Sequence, residues 1–281
     1  MLRVFYGHHK CATGWTNDIV REICYALGWR FLIVNTEAEL ERHGGLRALS
    51  QDRRIDFLAL SNAQVRYVDA LGDHRAFHII RDPRDQVVSG YFSHRNSHPT
   101  DSWPELSLHR DNLKQLSKDA GLTKEMEFSR PFVDAVSSWN YEDPRVLEVR
   151  MEDLTSDPEQ GFRDILQHLE MTVDRDTSSL AVRRFFNVLH QRGHERLPFG
   201  LHFWPWATRL EGLPDAVLDR ILERKSFSRL SGGRKPGEID PSSHYRKGVA
   251  GDWKNHFSAR HRAVFEESFP GLVERLGYDV E

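Results

Sequence analysis

Gly7-His8-His9-Lys10-Cys11-Ala12-Thr13-Gly14-Trp15-Thr16 separates two elements that can be read without help from elsewhere in the chain. Before it, Arg3–Tyr6 is a short β-type run. After it, Trp15, Ile19, Ile23 and Leu27 recur at every fourth position, the stripe of a helix that packs on a sheet. A strand that passes through a short loop into such a helix is the opening of an α/β unit. Backbone N–H groups at this junction, aligned with the helix dipole, make an anion site, and Lys10 and the hydroxyls of Thr13 and Thr16 add to it. The spacing differs from the nucleotidase loop that closes in Gly-Lys-Ser/Thr, because Lys10 precedes Gly14. Taken alone, the stretch is either a phosphate loop or a plain tight turn.

The alternation continues along the chain. Arg30–Val34, Asp56–Leu60, Ala76–Ile80 and Arg145–Arg150 are further strand candidates separated by helical periodicity, which predicts a parallel sheet with crossover helices. The 281 residues, 39% hydrophobic, suffice for one sizeable core, and a single domain is expected. Lys+Arg 39 against Asp+Glu 42 leaves a formal charge of -3, so nothing drives non-specific nucleic-acid binding and any anion site must be local. Cys11 and Cys24 match neither a disulfide framework nor a zinc spacing. No apolar run approaches a membrane span and the first residues lack a signal-peptide core, so a soluble cytoplasmic protein is expected. Residues 94–129 are polar and turn-rich with weak helical pattern, and Phe199, Phe203, Trp204 and Trp206 crowd one short stretch that is either core packing or an aromatic pocket.

Two more segments carry charge in a pattern. In Ile79-Ile80-Arg81-Asp82-Pro83-Arg84-Asp85-Gln86-Val87-Val88-Ser89, Asp82 suits an N-cap and Pro83 the first helical position. Arg81 at the strand end and Ser89 two turns into the helix can meet one anion, or Arg81 can simply pair at the surface. In Arg246-Lys247-Gly248, adjacent cations precede a glycine that allows close backbone approach, although a charged loop is commonly only a solvated one.

Together the three segments resemble the sulfotransferase family that uses 3′-phosphoadenosine 5′-phosphosulfate (PAPS). Lys10-Cys11-Ala12-Thr13-Gly14-Trp15 is similar to its loop for the 5′-phosphosulfate, commonly Pro-Lys-Ser-Gly-Thr-Thr-Trp; Arg81 through Ser89 is similar to its element for the 3′-phosphate. Arg246-Lys247-Gly248 with Gly251-Asp252-Trp253-Lys254 resembles its C-terminal signature, and Lys225-Ser226-Phe227 a landmark whose aromatic contacts adenine. The resemblance implies a P-loop-type three-layer α/β/α fold with a central parallel sheet. It also implies a donor site of Lys10, Cys11, Ala12, Thr13, Gly14, Trp15, Thr16, Arg81, Ser89, Phe227, Arg246, Lys247 and Gly248, with Lys10 catalytic and 3′,5′-bisphosphoadenosine (PAP) as product. Residues 94–130 and 193–215 are then expected beside a small-molecule or glycan acceptor, with 231–247 as a mobile lid loop. Cys11 stands where Ser is usual, Ala12 where Gly is usual, Gly14 where Thr is usual, and Met151 replaces the Tyr that precedes Glu152-Asp153.

The base that deprotonates the acceptor is less legible. The place where cytosolic relatives carry a His matches Ser61-Asn62, and glycan-modifying relatives use a Glu beyond the phosphate loop, which points to Glu37, then Glu39, with His74 or His98 as further options. Asn35-Thr36-Glu37-Ala38-Glu39 is equally a capped helix start. His8-His9 and His94-x-x-x-His98 carry no third ligand pattern, and no metal is expected. Other readings are a kinase of similar build, which lacks its Gly-Lys-Ser/Thr here, and a non-catalytic nucleotide sensor.

Overall fold

The computed structural model describes residues 1–101, 103–174, 176–196, 208–243 and 245–280. In chain order its elements are β1 (Leu2–Tyr6), α1 (Thr13–Leu27), β2 (Phe31–Val34), α2 (Glu37–Arg42), α3 (Gly45–Gln51), β3 (Phe57–Leu60), α4 (Arg66–Ala70), β4 (His74–Ile80), α5 (Pro83–Asn96), α6 (Pro104–Gln115) and α7 (Lys118–Ser137). They continue as β5 (Val146–Arg150), α8 (Met151–Ser156), α9 (Pro158–His168), α10 (Ser178–Arg196), α11 (Asp215–Arg224), α12 (Phe227–Leu230), a 3-10 turn at Asp252–Asn255, α13 (Ala259–Ser268) and α14 (Leu272–Arg275). Two compact units are assembled from discontinuous segments.

The first unit comprises Met1–Gly7, Ala12–Ile79 and Asn140–Ser226. Its sheet has the order β2-β3-β1-β4-β5, with β1 paired in parallel to β3 (Val4 opposite Leu58) and to β4 (Val4 opposite Ala76), and β2 parallel to β3. The parallel sheet expected from the alternation is therefore present, and all five β-type runs are strands. Val4, Phe5, Tyr6 and Phe57 through Leu60 are buried on both faces, which is why these strands read as apolar runs rather than alternating ones. Helix α1 buries Ile19, Ile23 and Leu27 of its stripe, and Gly28 ends it at φ 69, a left-handed backbone that glycine adopts without cost. Neither Cys11 nor Cys24, both buried, forms a disulfide.

The second unit comprises His8–Cys11, Ile80–Trp139 and Phe227–Glu281. Helix α5 starts as its sequence dictates: the Asp82 carboxylate accepts from the Arg84 N–H at 2.9 Å, with Pro83 in the first turn. Residues 94–129 differ from expectation, since most of them form α6 and α7. Pro104 opens α6, and Ser117 caps α7 by accepting from the Ala120 N–H at 3.3 Å. The buried stripe of these helices includes His109, Glu125 and Ser129 beside Leu106, Leu113, Leu122 and Met126, so polar residues at core positions hid the period. The glycine-rich stretch after α12 is organised by one side chain: the Arg234 guanidinium donates to the carbonyls of Tyr245 (2.7 Å) and Arg246 (3.0 Å) and to the Ser243 hydroxyl (2.9 Å).

Phe199, Phe203, Trp204 and Trp206 lie outside the described residues, as does His244. Among the described residues no helix is long and apolar enough to cross a membrane.

Candidate active site

The loop after β1 begins with the Gly7 N–H donating to the Leu60 carbonyl at 2.9 Å, which ties the strand end to β3. Lys10 (φ 65) and Ala12 (φ 55) then both take left-handed backbone, and Ala12 is the N-cap of α1 without any side-chain cap. Left-handed residues alternating with others turn successive N–H groups toward one side, the concavity that binds anions. Neither residue is glycine, so the loop stores strain. Replacing Ala12 by Gly is expected to raise stability by about 0.5–1 kcal/mol, the left-handed penalty of an L-residue less the added freedom of glycine in the unfolded chain. A lower denaturant midpoint for Ala12→Gly would show that the loop is not strained there.

Within the second unit the loop tip is held by α5 and by Arg81, just ahead of the Asp82 cap. The Arg81 guanidinium donates to the Lys10 carbonyl at 3.2 Å, and the Gln86 amide donates to the His9 carbonyl at 2.8 Å. Cys11, buried, donates its thiol to the His9 carbonyl at 3.7 Å. Lys10, Ser89, Phe92, Ser93, Pro241, Ser243 and Arg246 line one cleft. Arg246 lies over the Phe92 ring at 4.4 Å, which fixes its position in the cleft wall.

The electrostatics of this cleft are those of a cation-rich site. Burial, then the positive charge of Arg81 and, least of all, that of Arg246 push the Lys10 ammonium down to about 8, against the opposing pull of Glu125 and Cys11. Among the described residues, the buried Nε of Arg81 and the buried Oγ of Ser93 have no hydrogen-bond partner. Like charges held together beside unpartnered donors are unfavourable by themselves and become favourable around an anion.

A buried carboxylate organises the C-terminal side. Asp252 accepts from both Arg246 and Lys247, from Asn255 at 3.0 Å and from His256 at 3.2 Å. Burial would raise its pKa, but the donors together hold it well below the usual carboxylate range. Asp85 in the first turn of α5 accepts from the backbone N–H of Gly251 (2.6 Å) and Trp253 (2.7 Å), and Arg84 stacks on the Trp253 ring at 3.6 Å. The 251–253 turn is thus fastened to the helix that carries Ser89. Gly248 has φ 67, and a Cβ there would stand 2.5 Å from the Phe227 ring, so only glycine fits under that aromatic.

Of the residues read from the sequence, Lys10, Ser89 and Arg246 share the cleft and Arg81 bonds the Lys10 carbonyl behind it, while Lys247 directs its ammonium to Asp252. In the first unit, Thr16 buries its hydroxyl without a partner among the described residues, and Trp15 gives its indole N–H to the Lys225 carbonyl at 2.8 Å while packing on Phe162. Glu37 opens α2 with its carboxylate accepting from Arg66 (2.5 Å) and from the Tyr67 hydroxyl. Glu39 is committed to the same helix start, accepting from the Asn35 N–H at 2.6 Å. His74 bonds the Tyr6 hydroxyl at 2.8 Å in the sheet. Sequence reasoning missed Ser93, although it lies one helical turn beyond Ser89, and gave Asp252 no role although it sits inside a quoted motif.

The profile of a sulfotransferase family matches residues 66–175, which include β4, Arg81 and the whole of α5. Sulfotransferase 1 family member D1 of Rattus norvegicus is 23% identical over 215 residues, covering 72% of this chain and 56% of the relative, and the Mus musculus protein of that name is 23% identical over 222 residues with the same coverage. The chain thus spans little more than half the length of the curated relatives it matches. Among solved structures, mouse sulfotransferase SULT7A1 complexed with PAP superposes with a TM-score of 0.54 at 16% identity, over 97% of this chain and 85% of that one. Retinol dehydratase in complex with androsterone and the inactive cofactor PAP gives 0.50 at 15% identity, over 97% and 80%. These structures share the fold, a mixed α/β architecture around a central parallel sheet. Residues 66–175 thus match the sulfotransferase family, the curated relatives are sulfotransferases, and the fold is one that these solved structures share.

Proposed function

We propose that this protein transfers the sulfuryl group of PAPS to an acceptor hydroxyl or amine. The observation that carries the reading is the cleft in which Lys10, Ser89, Ser93 and Arg246 converge, with the Lys10 ammonium pushed down by burial and by Arg81 and Arg246. Such a site takes a multiply charged anion. The sulfotransferase and the retinol dehydratase that share the fold were both crystallised with PAP, which supports the donor assignment.

In this reading, the loop from Lys10 to Thr16 cradles the 5′-phosphosulfate. Arg81, Ser89, Arg246, Lys247 and Gly248 hold the 3′-phosphate, and Phe227 lies against adenine. The acceptor oxygen or nitrogen attacks sulfur in line as the bond from sulfur to the bridging phosphate oxygen breaks. Negative charge grows on that oxygen, and Lys10 neutralises it. The acceptor loses its proton to Glu37, whose carboxylate Arg66 and Tyr67 orient. Glu39 is the weaker choice because it is already used in capping α2. Glu37→Gln should lower turnover by roughly 10²-fold or more while leaving PAP affinity unchanged. Near-normal rates in that variant would exclude Glu37.

Thermal shift tests the donor reading: PAP should stabilise the protein far more than adenosine 5′-monophosphate or ATP with magnesium. Arg81→Ala and Arg246→Ala should each weaken PAP binding by roughly 1.5–3 kcal/mol, one lost charged hydrogen bond, and hardly change binding of adenosine 5′-monophosphate. Equal losses for both ligands in calorimetry would remove these arginines from the 3′-phosphate.

A further inference from the structure

Beside Lys10 lies a constellation that sulfuryl transfer does not use. His9 Nε2 and His94 Nε2 stand 2.8 Å apart, and with His98 the ligating nitrogens of all three imidazoles lie within 4.8 Å of one another. The third nitrogen donor that the sequence did not reveal comes from the loop, 85 positions before its partner on α5.

The three rings are held rather than loosely gathered. Each packs on the Trp103 indole, with centroid separations of 5.8, 5.8 and 5.7 Å for His9, His94 and His98. Gln86 fixes the His9 carbonyl, while one guanidinium, that of Arg110, donates to the carbonyls of both His94 (2.7 Å) and His98. The His98 N–H turns back to the Ser93 carbonyl at 2.8 Å, which brings His98 round the end of α5 toward His94. Three backbones and three rings are thus set in one place.

An outer carboxylate completes the pattern. His94 Nδ1 lies 2.9 Å from Glu125 Oε1, inside a fully buried group where Glu125 also accepts from His109 (2.8 Å) and Ser129 (2.5 Å). A proton on His94 Nδ1, required to bond the carboxylate, leaves Nε2 as a lone pair aimed at His9. This carboxylate–histidine arrangement fixes the tautomer of metal-ligating histidines. His109 and the Nδ1 side of His94 already donate to Glu125, so that group serves as an anchor and not as a second ligand set.

We propose that His9, His94 and His98 bind a divalent late transition metal of the zinc class through their imidazole nitrogens, with a further coordination position left open. An all-imidazole set favours zinc, cobalt, nickel or copper over magnesium or calcium. Three protein ligands plus an open position is the arrangement of reactive rather than purely structural zinc sites. At bond lengths of about 2.0–2.1 Å, two nitrogens on one ion lie roughly 3.0–3.4 Å apart, so binding needs His9 and His94 to separate by a few tenths of an ångström. His9, only half-buried, has room for that shift.

The test does not depend on sulfuryl transfer. Tag-free protein stripped with a chelator is titrated calorimetrically with zinc, and with cobalt followed by its visible absorption. One equivalent should bind, with the cobalt spectrum of nitrogen ligation. His9→Gln and His98→Gln should each lower affinity at least roughly tenfold, and Glu125→Gln by about 10–100-fold, the range for loss of an outer-shell partner. His43→Asn, at an exposed position on another element, should bind as wild type. Circular dichroism identifies any variant that has lost its fold, and the two single ligand changes serve as independent replacements for each other. Absence of stoichiometric uptake, or uptake unchanged in both His9→Gln and His98→Gln, would overturn the proposal and leave the cluster as a hydrogen-bonded core.

Discussion

Lys10→Ala should lower the rate of sulfuryl transfer by about 10²–10³-fold, the loss that follows removal of one preorganised group from a developing oxyanion. PAP binding should fall much less, because the charge on the bridging oxygen appears chiefly in the transition state. Burial together with Arg81 and Arg246 sets the free ammonium at about 8, and this gives the prediction a second arm. A bound phosphate anion favours the protonated lysine and raises its pKa. PAP affinity is therefore complete below about pH 8 and weakens as pH rises through that value, with a proton taken up on binding in the interval. Lys10→Arg, charged across the whole range, should lose this alkaline fall in affinity even if its geometry slows the chemistry. A Lys10→Ala rate within about threefold of wild type, worth only ~0.7 kcal/mol, would remove Lys10 from the reaction. The rate is read with labelled PAPS against phenol, alcohol, amine and glycan acceptors.

What could be read in advance, and what could not, divides along physical lines. The strands were legible because a parallel sheet buried on both faces writes itself as short apolar runs, as Phe57 through Leu60 do. The start of α5 was legible because capping is local, and Asp82 with Pro83 needs no distant partner. The helices over 94–130 were obscured because their buried face carries His109, Glu125 and Ser129, which are apolar-looking only once they have found one another. The same holds for the site. Lys10, Arg81 and Arg246 could be named as cations near turns, but their convergence depends on the fold. Asp85 stands in the first turn of α5, yet its carboxylate is taken up by the N–H groups of Gly251 and Trp253, far along the chain. No periodicity announces such a contact.

Asp252→Asn should destabilise the protein by about 3–5 kcal/mol, the usual result of taking one partner from a buried ion pair. The side chain is 1% exposed and faces both Arg246 and Lys247, themselves 12% and 15% exposed, so neither cation can recover its lost partner from bulk water. The pH dependence follows from the depressed carboxyl. A folded pKa far below the unfolded value of 3.8 gives stability that is fully present above that value and lost as pH falls toward the folded one, so the gap between wild type and Asp252→Asn should begin to narrow below about pH 4 and keep narrowing with further acidification. The ligand separates this carboxylate from any merely structural one. If Arg246 and Lys247 hold the 3′-phosphate as proposed, Asp252 and that phosphate compete for the same two cations, and in Asp252→Asn only the phosphate remains to neutralise them. PAP should therefore raise the melting temperature of the variant by more than it raises that of the wild type, and inorganic sulfate should do the same to a smaller degree. A variant that is destabilised but gains no more from PAP than wild type would place the 3′-phosphate away from Arg246 and Lys247.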